Sequence, residues 1–387
     1  MKIGIVLAKA PSYSETFFNS KIKGLIDNGY DVTLFVRETK QTYSACKVVS
    51  APKIHRNIVL QIFKTIWVFF KLLPYLKRVL KFFKLEKSNQ RNFSSILKNV
   101  YTNSHIIKAN IDWLHFGFAT LALGSEHVSK AIGAKMAVSC RGYDMDVYPL
   151  KHPNCYDLVW KLVDKVHAIS NYMLSRAYKI GLPADKPKKI IYPAINPKLF
   201  DLNYTRSKKD RILLTTIARL HWIKGIDYTI EALGILKTEG VDFEYQIIGE
   251  GIEFEALRYT IHELDLEDNV RFIGKLTHKE TIKILAETDI YIQYSISEGF
   301  CNAVLEAQAM QCLCVVSDGG ALPENIINNK TGFVVPKRKP ELLASTLKEI
   351  MSQDEKVLHH IKQNAAHRVF ESFTVEQQIK AFIEFYE

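Results

Sequence analysis

The chain has 387 residues, of which 47% are hydrophobic and 24% are charged, and its formal net charge is +11. This length accommodates two domains of ordinary size, and this composition excludes a largely disordered protein. The excess of positive charge favours an anionic partner. No run of eighteen residues is free of charge, so we expect no membrane-spanning helix. The six cysteines lack metal-ligand spacing, which indicates a reducing compartment.

The first segments alternate between strand and helix patterns. They predict a strand at Ile3–Ala8, a helix at Glu15–Asp27 and a strand at Asp31–Val36. This βαβ arrangement requires the two strands to be parallel. Ser14 and Glu15 suit the start of the helix, because serine caps helices and an acidic side chain complements the positive end of the helix dipole. We place both residues on the acceptor side of a ligand site.

Residues 58–87 contain seven basic residues and one acidic residue. Aromatic and aliphatic residues lie between the basic ones, and a helix would place Lys64, Lys71 and Arg78 on one stripe. This pattern is typical of a basic amphipathic helix that lies on an anionic membrane surface. The alternative is a buried helix whose lysines extend to solvent, and Pro74 would kink or split either helix.

Further strands and helices complete a first domain, which we predict at residues 1–193. Strands are predicted at Ile111–His115, Ala134–Cys140, Lys165–Ile169 and Lys189–Tyr192, and helices at Ala119–Ile132 and Asn171–Ile180. Ligands bind beyond the carboxyl ends of strands in a parallel sheet. His115, Arg141 and Asp144 lie at or just after predicted strand ends, so we place them on the acceptor side. Asp144 and Asp146 also match an Asp-x-Asp metal motif, which we discount because the surrounding pattern is that of a two-domain parallel fold. No metal site is predicted.

A polar segment at 194–210 predicts a linker, and residues 211–372 repeat the alternation of strands and helices as a second domain. Strands are predicted at Arg211–Ile217, Phe243–Ile248, Val270–Ile273, Thr288–Tyr294 and Thr331–Val335, and helices at Asp227–Thr238, Lys339–Met351 and Asp354–Glu371. A last helix within 373–387 is expected to cross back to the first domain.

Four residues of the second domain lie just after its predicted strands. Arg219 and Lys224 lie between a strand and the next helix, and a paired arginine and lysine suit a diphosphate. Gly249 and Lys275 follow the next two strands. We therefore expect all four residues on the donor-binding side of the site.

The stretch Ser295–Met310 reads as a loop that follows a strand and leads into a helix. With Asn302 as the predicted N-cap, the first amides of the helix form an anion site. Glu298 lies in the loop, and Glu306 lies one turn into the helix with its carboxylate directed back toward the loop. A nucleotide sugar carries the hydroxyls and phosphates that such a site suits. The alternative is that Glu306 only complements the helix dipole.

The second domain resembles the donor-binding core of retaining glycosyltransferase family 4, polysaccharide-biosynthesis type, at Arg219, Lys224, Glu298, Gly299, Phe300, Glu306 and the segment Asp318–Glu324. The resemblance implies the GT-B fold, an α/β arrangement of two doubly wound Rossmann-like domains facing a central cleft. It implies that Glu298 approaches the transferred sugar, that Glu306 holds the ribose, and that Arg219 and Lys224 bind the donor diphosphate.

By the same resemblance, the chain is expected to be a retaining, metal-independent hexosyltransferase without a cofactor. It would move a sugar from a nucleotide diphosphate donor to a glycan or lipid-linked acceptor in exopolysaccharide, O-antigen or capsule biosynthesis. The catalytic residues would be Glu298, Arg219, Lys224 and Arg141. We expect a cytoplasmic protein at the inner face of the cytoplasmic membrane, with an anionic membrane surface as a partner.

The chain departs from the family pattern in several places. Arg141 replaces a histidine near the sugar, residues 8–16 contain no glycine, and Gln311 stands where a glycine would end the helix that carries Glu306. The first two departures favour the alternative of a non-catalytic protein that binds a membrane or a polyanion. A nucleotide-sugar epimerase of related fold is a further alternative. Nucleic acid is not expected as a partner, because the basic residues concentrate in one hydrophobic helix.

Overall fold

The computed structural model describes residues 1–11, 16–38, 43–200 and 211–387. The chain divides into two compact units. The first unit comprises Met1–Ile191 and Ile379–Glu387, and the second comprises Tyr192–Gln378. Ser14, Glu15 and most of the predicted linker lie outside the described residues.

Within the described ranges, the first unit is built on one sheet of seven parallel strands. The strands are β1 Lys2–Lys9, β2 Asp31–Glu38, β3 Lys47–Ser50, β4 Trp113–Phe116, β5 Lys135–Cys140, β6 Lys165–Ala168 and β7 Lys188–Ile190. Their order is β3-β2-β1-β4-β5-β6-β7. Strand β1 is buried along most of its length because helices cover both faces of a doubly wound sheet. The order reverses between β1 and β4, where such sheets bind ligands.

The helices of the first unit are α1 Thr16–Asp27, α2 Ile58–Phe70, α3 Leu76–Ser88, α4 Phe93–Ile107, α5 Val128–Ile132, α6 Tyr148–Lys151, α7 Asp157–Leu162 and α8 Asn171–Lys179. The prediction of one helix at Ala119–Ile132 is wrong. The segment forms a 3₁₀ turn at Ala119–Ala122 and then α5. Gly124 adopts a left-handed conformation with φ 77° between them, which an α-helix does not allow.

The basic segment 58–87 is divided into two helices at Pro74, as the sequence predicted. Helices α2 and α3 are separated by a 3₁₀ turn at Leu73–Tyr75, and the chain bends by 53° there. In the described parts of the chain, no single helix has the length and apolar character to cross a bilayer. The bent pair formed by Ile58–Phe70 and Leu73–Ser88 passes the same test of length and composition only when both helices are taken together.

In the described residues, the second unit has a six-stranded parallel sheet. The strands are β8 Ile212–Ile217, β9 Phe243–Ile248, β10 Val270–Gly274, β11 Ile290–Gln293, β12 Leu313–Ser317 and β13 Phe333–Val335. Their order is β10-β9-β8-β11-β12-β13. The reversal falls between β8 and β11, which brings the loops that follow these two strands together at one edge. Both doubly wound α/β sheets that the sequence predicts are therefore confirmed.

The helices of the second unit are α9 Ile226–Thr238, α10 Phe254–Glu263, α11 His278–Glu287, α12 Asn302–Ala309, α13 Leu322–Asn325, α14 Pro340–Ser352, α15 Glu355–Ser372 and α16 Val375–Tyr386. The core of this unit lies between α9, α14 and the sheet, with Leu214, Leu233, Tyr245 and Leu347 wholly buried. Helix α16 begins in the second unit, and its residues from Ile379 onward belong to the first.

The turn after α12 keeps a glycine-like conformation without a glycine. Gln311 has φ 56°, and its N–H donates to the carbonyl of Gln308 at 2.9 Å. The N–H of Cys312 donates to the carbonyl of Ala307 at 2.9 Å. Glutamine therefore adopts the left-handed conformation that the usual glycine would adopt, and the substitution does not change how the helix ends. The left-handed backbone costs about 1 kcal/mol in a non-glycine residue.

Candidate functional site

The loop after β8 is shaped by a glycine. Trp222–Lys224 form a 3₁₀ turn, and Gly225 has φ 59° at the start of α9. A Cβ at Gly225 would overlap the carbonyl oxygen of Tyr294, so only glycine allows this approach of the loop to the end of β11. The N–H of Ile296 donates to the carbonyl of Ile223 at 2.8 Å, which fixes the two loops together. The loop thereby places Lys224 beside the loop that carries Glu298.

Lys224 and Glu298 form an ion pair at this edge of the sheet. Their side chains are 16% and 12% exposed. Burial is the largest single effect and lowers the pKa of Lys224, but the charge of Glu298, the hydrogen bond to it and the nearby Cys301 together raise the pKa above its ordinary value. The charge of Arg219 lowers the pKa of the same ammonium group, so Arg219 lies within electrostatic range of Lys224. The structure therefore brings together three residues that the sequence placed on the donor side.

A chain of buried side chains orients the carboxylate of Glu298. The hydroxyl of Tyr291 donates to Oε1 of Gln293 at 2.7 Å, and Nε2 of Gln293 donates to Oγ of Ser295 at 2.8 Å. Ser295 in turn donates to Oε1 of Glu298 at 3.0 Å. Polar residues at every second position share one face of a strand. That alternation, visible in the sequence, is the signal that would have identified Gln293 and Ser295 as positioning residues.

Glu306 has a partner that the sequence analysis did not identify. Nε2 of His278, the first residue of α11, lies 2.9 Å from Oε1 of Glu306. The hydrogen bond to Glu306 raises the pKa of His278, and burial opposes this effect. Thr277 and Glu280 form a capping box that fixes the start of α11. The sequence does show a histidine within the Thr-x-x-Glu capping box that begins a helix. Nothing in the sequence, however, pairs this histidine with Glu306.

The start of α12 differs from the prediction by one residue. Asn302 is the first helical residue, and Cys301 is the N-cap. The side chain of Asn325 accepts from the N–H of Cys301 and donates to its carbonyl, both at 3.1 Å, which holds Cys301 out of the helix. Burial raises the pKa of the Cys301 thiol to about 12. The thiol is therefore protonated near neutral pH, and Asn302 is free of the capping role assigned to it.

Gly299 and Phe300 lie between Glu298 and α12. The Phe300 ring is buried against Tyr192 and Phe373, with ring centroids 5.1 Å and 5.6 Å away. It therefore supports the loop from the core side. The backbone of Glu298 bridges to Gly320, and its carbonyl accepts from the N–H of Ala321 at 2.8 Å, which fixes the loop from the other side.

Gly249 lies at the wall of a cavity of about 960 Å³ next to this site. The cavity is lined by the ends of β9 and β10 and by one face of α10, including Leu220, Phe254 and Gly274. A Cβ at Gly249 would overlap the carbonyl oxygen of Ala218, so glycine allows the loops after β8 and β9 to touch. Lys275 follows Gly274 and is exposed. The cavity thus adjoins the loop that carries Arg219.

In the first unit, His115 does not face a ligand. It is wholly buried on β4, and its Nδ1 lies 2.6 Å from the hydroxyl of Tyr386 and 3.1 Å from Nζ of Lys21. Burial lowers the pKa of His115 well below its ordinary value. Burial, followed by the charge of Arg141, likewise lowers the pKa of Lys21. The placement of His115 on the acceptor side is therefore corrected: it belongs to the core.

The buried network continues across the neighbouring strands. Nε2 of His167 faces the carbonyl of Ile191 at 3.1 Å and must carry the proton, so its Nδ1 accepts from the hydroxyl of Ser139 at 2.8 Å. Oγ of Ser139 then accepts from Nε2 of His115 at 2.8 Å. This leaves Nδ1 of His115 as the acceptor for Tyr386. The network therefore connects β4, β5 and β6 to the end of α16.

Asp144 is also a structural residue. It is wholly buried and accepts from the N–H of Ala119 at 3.1 Å and from the hydroxyl of Thr120 at 2.8 Å, which caps the 3₁₀ turn. Burial raises the pKa of Asp144 to about 6. Asp146 pairs with Arg176 at 2.7 Å. The acceptor-side placement of Asp144 is therefore corrected, and the two carboxylates of the Asp-x-Asp motif serve different structural contacts.

Arg141 packs against aromatic rings. Its guanidinium carbon lies 4.1 Å, 4.5 Å and 5.3 Å from the ring centroids of Phe17, Phe18 and Phe118, and its Nε donates to the carbonyl of Gly117 at 3.1 Å. Cation–π contacts of this kind stabilise a half-buried arginine. They account for Arg141 without a ligand, and its catalytic role stays a prediction.

Comparison with known proteins finds similarity to glycosyltransferases. A family model described as glycosyl transferases group 1 matches residues 200–368. The chain is 27% identical to the amylovoran biosynthesis glycosyltransferase AmsK of Erwinia amylovora over 90% of each chain. It is 26% identical to the putative colanic acid biosynthesis glycosyltransferase WcaL of Salmonella typhimurium over 99% of this chain and all of that one.

A solved structure resembles the whole fold. The Anabaena protein HepE, crystallised with UDP-glucose, matches with a TM-score of 0.72 at 14% identity over 99% of this chain and 98% of that one. At this identity the likeness concerns the fold alone. Taken with the two parallel sheets, it shows that the chain has the GT-B fold, within which residues 200–368 match the group 1 glycosyl transferases.

Proposed function

We propose that this glycosyltransferase moves a hexose-type sugar from a nucleotide diphosphate sugar to a glycan or lipid-linked acceptor, with retention at the anomeric carbon. The acceptor would be an intermediate of exopolysaccharide, O-antigen or capsule biosynthesis. AmsK and WcaL are named for the biosynthesis of two such polysaccharides, which supports this class of acceptor. The observation that carries the proposal is the meeting of Lys224, Arg219 and Glu298 at the switch point of the second sheet.

The donor would bind to groups that the unliganded site already positions. Arg219 and Lys224 would hold the diphosphate and neutralise the charge that develops as it leaves, so the proposal requires no metal ion or cofactor. Glu306 would accept hydrogen bonds from the ribose hydroxyls. The cavity beside Gly249 is large enough for a nucleobase. HepE was crystallised with UDP-glucose, which supports a nucleotide sugar as the ligand of this fold.

Glu298 would act at the transferred sugar. Its Oε1 accepts from Ser295 and pairs with Lys224, so the carboxylate is held in place before the donor arrives. A fixed carboxylate beside the anomeric carbon would stabilise positive charge on the sugar as the diphosphate departs. The leaving phosphate itself would take the acceptor proton, and no side chain is assigned as general base.

The protein would work as a peripheral protein on the inner face of the cytoplasmic membrane. Helix α2 has no buried residue and exposes aromatic and aliphatic side chains together with Lys64 and Lys71. Apolar and basic side chains on one helix favour an anionic membrane interface. This location would bring a lipid-linked acceptor to the enzyme.

A panel of UDP-, GDP- and ADP-sugars in a thermal-shift assay without added metal tests the donor site. Because a ligand at a large excess over Kd stabilises the folded state by about 3 kcal/mol, we expect one nucleotide class to raise Tm by about 5 °C or more. Glu306→Ala should abolish the shift. Glu349→Ala, an exposed carboxylate on α14, is the matched control and should retain it.

No shift with any donor in the wild type would contradict the proposal. A donor-specific shift without sugar transfer to any cell-envelope acceptor would favour the non-catalytic alternative. A rise in Tm in Glu306→Ala equal to that in the wild type would contradict the assignment of Glu306 to the ribose.

A further inference from the structure

The first unit contains a cavity that none of the predicted site residues lines. It has a volume of about 700 Å³ and lies between the ends of β2 and β3, one face of α4 and the segment 121–125. Its floor is apolar and includes the buried side chains of Val6, Val36, Ile106 and Leu121. This volume falls within the range of about 300–1,000 Å³ that is usual for small-molecule sites. We call it the α4 cavity.

Three cations lie at the rim of the α4 cavity. They are Arg37, Lys53 and Lys98, and Glu38 is the one acidic residue in the described lining. All three cations are exposed, and within the described residues none has a carboxylate at ion-pair distance. The lining therefore has a net charge of about +2, which favours an anionic ligand.

Other lining residues add hydrogen-bonding capacity. Thr102 and Ser125 contribute hydroxyl groups. His105, nine-tenths buried, forms part of the wall and packs edge-on against the Phe35 ring at 5.8 Å. Burial, with the charge of Lys108 as a second cause, lowers the pKa of His105 to about 4, so the imidazole is neutral near pH 7. A polar headgroup with hydroxyls and a phosphate fits this combination of neutral polar groups and rim cations.

The chain leads from the lining of the α4 cavity into a helix with a large exposed apolar surface. Ile54 lines the cavity and is 68% exposed, and α2 begins four residues later. The exposed hydrophobic side chains of α2 and the turn that follows it are Ile58, Val59, Leu60, Ile62, Phe63, Ile66, Trp67, Phe70 and Leu73. Soluble monomers rarely expose an apolar patch of this extent without a partner.

The helix after this surface is firmly anchored, so α2 is held in place. Arg91 bridges two buried carboxylates, with contacts of 2.7 Å to Glu86 on α3 and 2.9 Å to Glu126. NH1 of Arg78 donates to the carbonyls of Ile107 at 3.2 Å and Ala109 at 2.6 Å at the end of α4. Arg78 therefore does not belong to an exposed basic stripe with Lys64 and Lys71, and that expectation is corrected.

We propose that the α4 cavity binds the phosphate-bearing headgroup of a membrane-anchored lipid acceptor, while the apolar surface of α2 lies in the interface of the same membrane. The proposal is carried by the closeness of the two surfaces along the chain, from Ile54 to Ile58, and by rim cations that have no carboxylate partner among the described residues. It rests on the function proposed above and assigns the acceptor site of that function. An amphiphile uses both surfaces at once, whereas a soluble anion uses only the cavity.

Vesicle co-sedimentation of the full chain tests the proposal, with phosphatidylcholine alone and with phosphatidylcholine containing phosphatidic acid. The wild type should prefer the phosphatidic acid vesicles. The rim variant Arg37→Ala, Lys53→Ala, Lys98→Ala should lose that preference by about tenfold or more. The control Lys151→Ala, Lys161→Ala, Lys179→Ala removes the same charge from exposed residues near β5–β7 and should retain it.

A second variant separates cavity binding from general attraction to an anionic surface. Thr102→Trp fills the α4 cavity without changing any charge, and it should lose the preference as the rim variant does. The α2 variant Phe63→Ser, Ile66→Ser, Phe70→Ser changes only exposed side chains and should lose binding to both kinds of vesicle. Wild-type binding by Thr102→Trp would overturn the proposal.

A soluble probe distinguishes a lipid from a free phosphate. Inorganic pyrophosphate should compete only weakly with phosphatidic acid vesicles. Complete competition by pyrophosphate, to the same extent in the wild type and in the α2 variant, would overturn the lipid assignment. Donor binding, measured by thermal shift, should be normal in the rim and Thr102→Trp variants. Failure of donor binding in the wild type, with vesicle binding as expected, would instead remove the proposed function and leave the cavity assignment in place.

Discussion

Lys224 in the second unit and Lys98 in the first are lysines beside candidate ligand sites, but their surroundings differ. Lys224 is paired with Glu298, and the carboxylate of Glu298 is held by Ser295. Lys98 is exposed and has no carboxylate partner in the described part of the chain. The ammonium group of Lys224 is therefore neutralised within the candidate donor site before any ligand binds. The rim of the α4 cavity needs its counter-charge from outside.

The two sites therefore hold their positive charge in different ways. A buried ion pair fixes geometry, and its residues depend on each other for stability. Exposed cations contribute little to stability and remain free to bind an anion. Substitutions in the second unit should thus affect both folding and donor binding, whereas substitutions at the cavity rim should affect ligand binding alone.

We expect the largest effect on stability and activity from breaking the ion pair between Lys224 and Glu298. Lys224→Met leaves the carboxylate of Glu298 only 12% exposed and without its cation. We expect the free energy of unfolding to fall by about 3 kcal/mol and sugar transfer to fall by roughly 100-fold or more. Denaturant titration and a transfer assay with the donor from the thermal-shift panel measure the two effects.

The double variant Lys224→Met, Glu298→Gln is the control for folding. It removes the buried charge that the single variant leaves behind, so it should regain most of the stability without regaining transfer. Equal instability of the two variants would contradict the view that an unpaired carboxylate causes the loss.

The buried network of the first unit provides the contrasting case. Ser139→Ala removes the hydroxyl that accepts from His115 and donates to His167. Since two buried ring nitrogens lose their partner, we expect a loss of about 1–3 kcal/mol in the free energy of unfolding. Donor binding should not change, because the network belongs to the core. A loss of less than about 0.5 kcal/mol in the free energy of unfolding would contradict this network, because it is well below the expected loss of about 1–3 kcal/mol.

The chain of side chains behind Glu298 should show a smaller, mixed effect. Gln293→Leu keeps the volume of the side chain but removes its bonds to Tyr291 and Ser295. We expect a loss of about 1–2 kcal/mol in stability and a decrease of about tenfold in kcat, with KM for the donor little changed. Gln246→Leu, on strand β9 of the same sheet, is the matched control. A normal kcat in Gln293→Leu would show that Glu298 does not depend on this chain.

The smallest effect concerns pH. Because the hydrogen bond to Glu306 raises the pKa of His278, the pair stabilises the fold fully below about pH 6.5, and this contribution is lost as pH rises through the raised pKa. Solvent screens the pair, so the difference in stability between wild type and His278→Asn should be below about 1 kcal/mol at pH 6 and near zero at pH 9. A difference that grows with pH would contradict the assigned pair.

The donor site was largely predictable because its residues belong to short, ordered motifs. A strand end, a glycine and the start of a helix place Arg219 and Lys224, and the next such loop places Glu298 and Glu306. What the sequence does not contain is the pairing between loops. His278 meets Glu306 across 28 positions, and no local pattern joins them.

The first unit was harder to predict because its important contacts are distant along the chain. His115 follows a strand, as a ligand residue would, but Tyr386 reaches it from 271 residues away and encloses it. Asp144 lies in a loop, yet it caps a turn 25 residues earlier. Asp144 does follow the end of β5, whereas β4 continues past His115 to Phe116. In both cases, tertiary packing decided where the side chain lies.

Isothermal titration of the nucleoside diphosphate selected by the donor panel tests the central claim most directly. The wild type should bind with a stoichiometry of one, Lys224→Met should bind at least about tenfold more weakly, and the exposed control Lys283→Met should bind like the wild type. Equal affinity in Lys224→Met and the wild type would contradict the account, because the diphosphate would then bind away from the site formed by Arg219, Lys224 and Glu298.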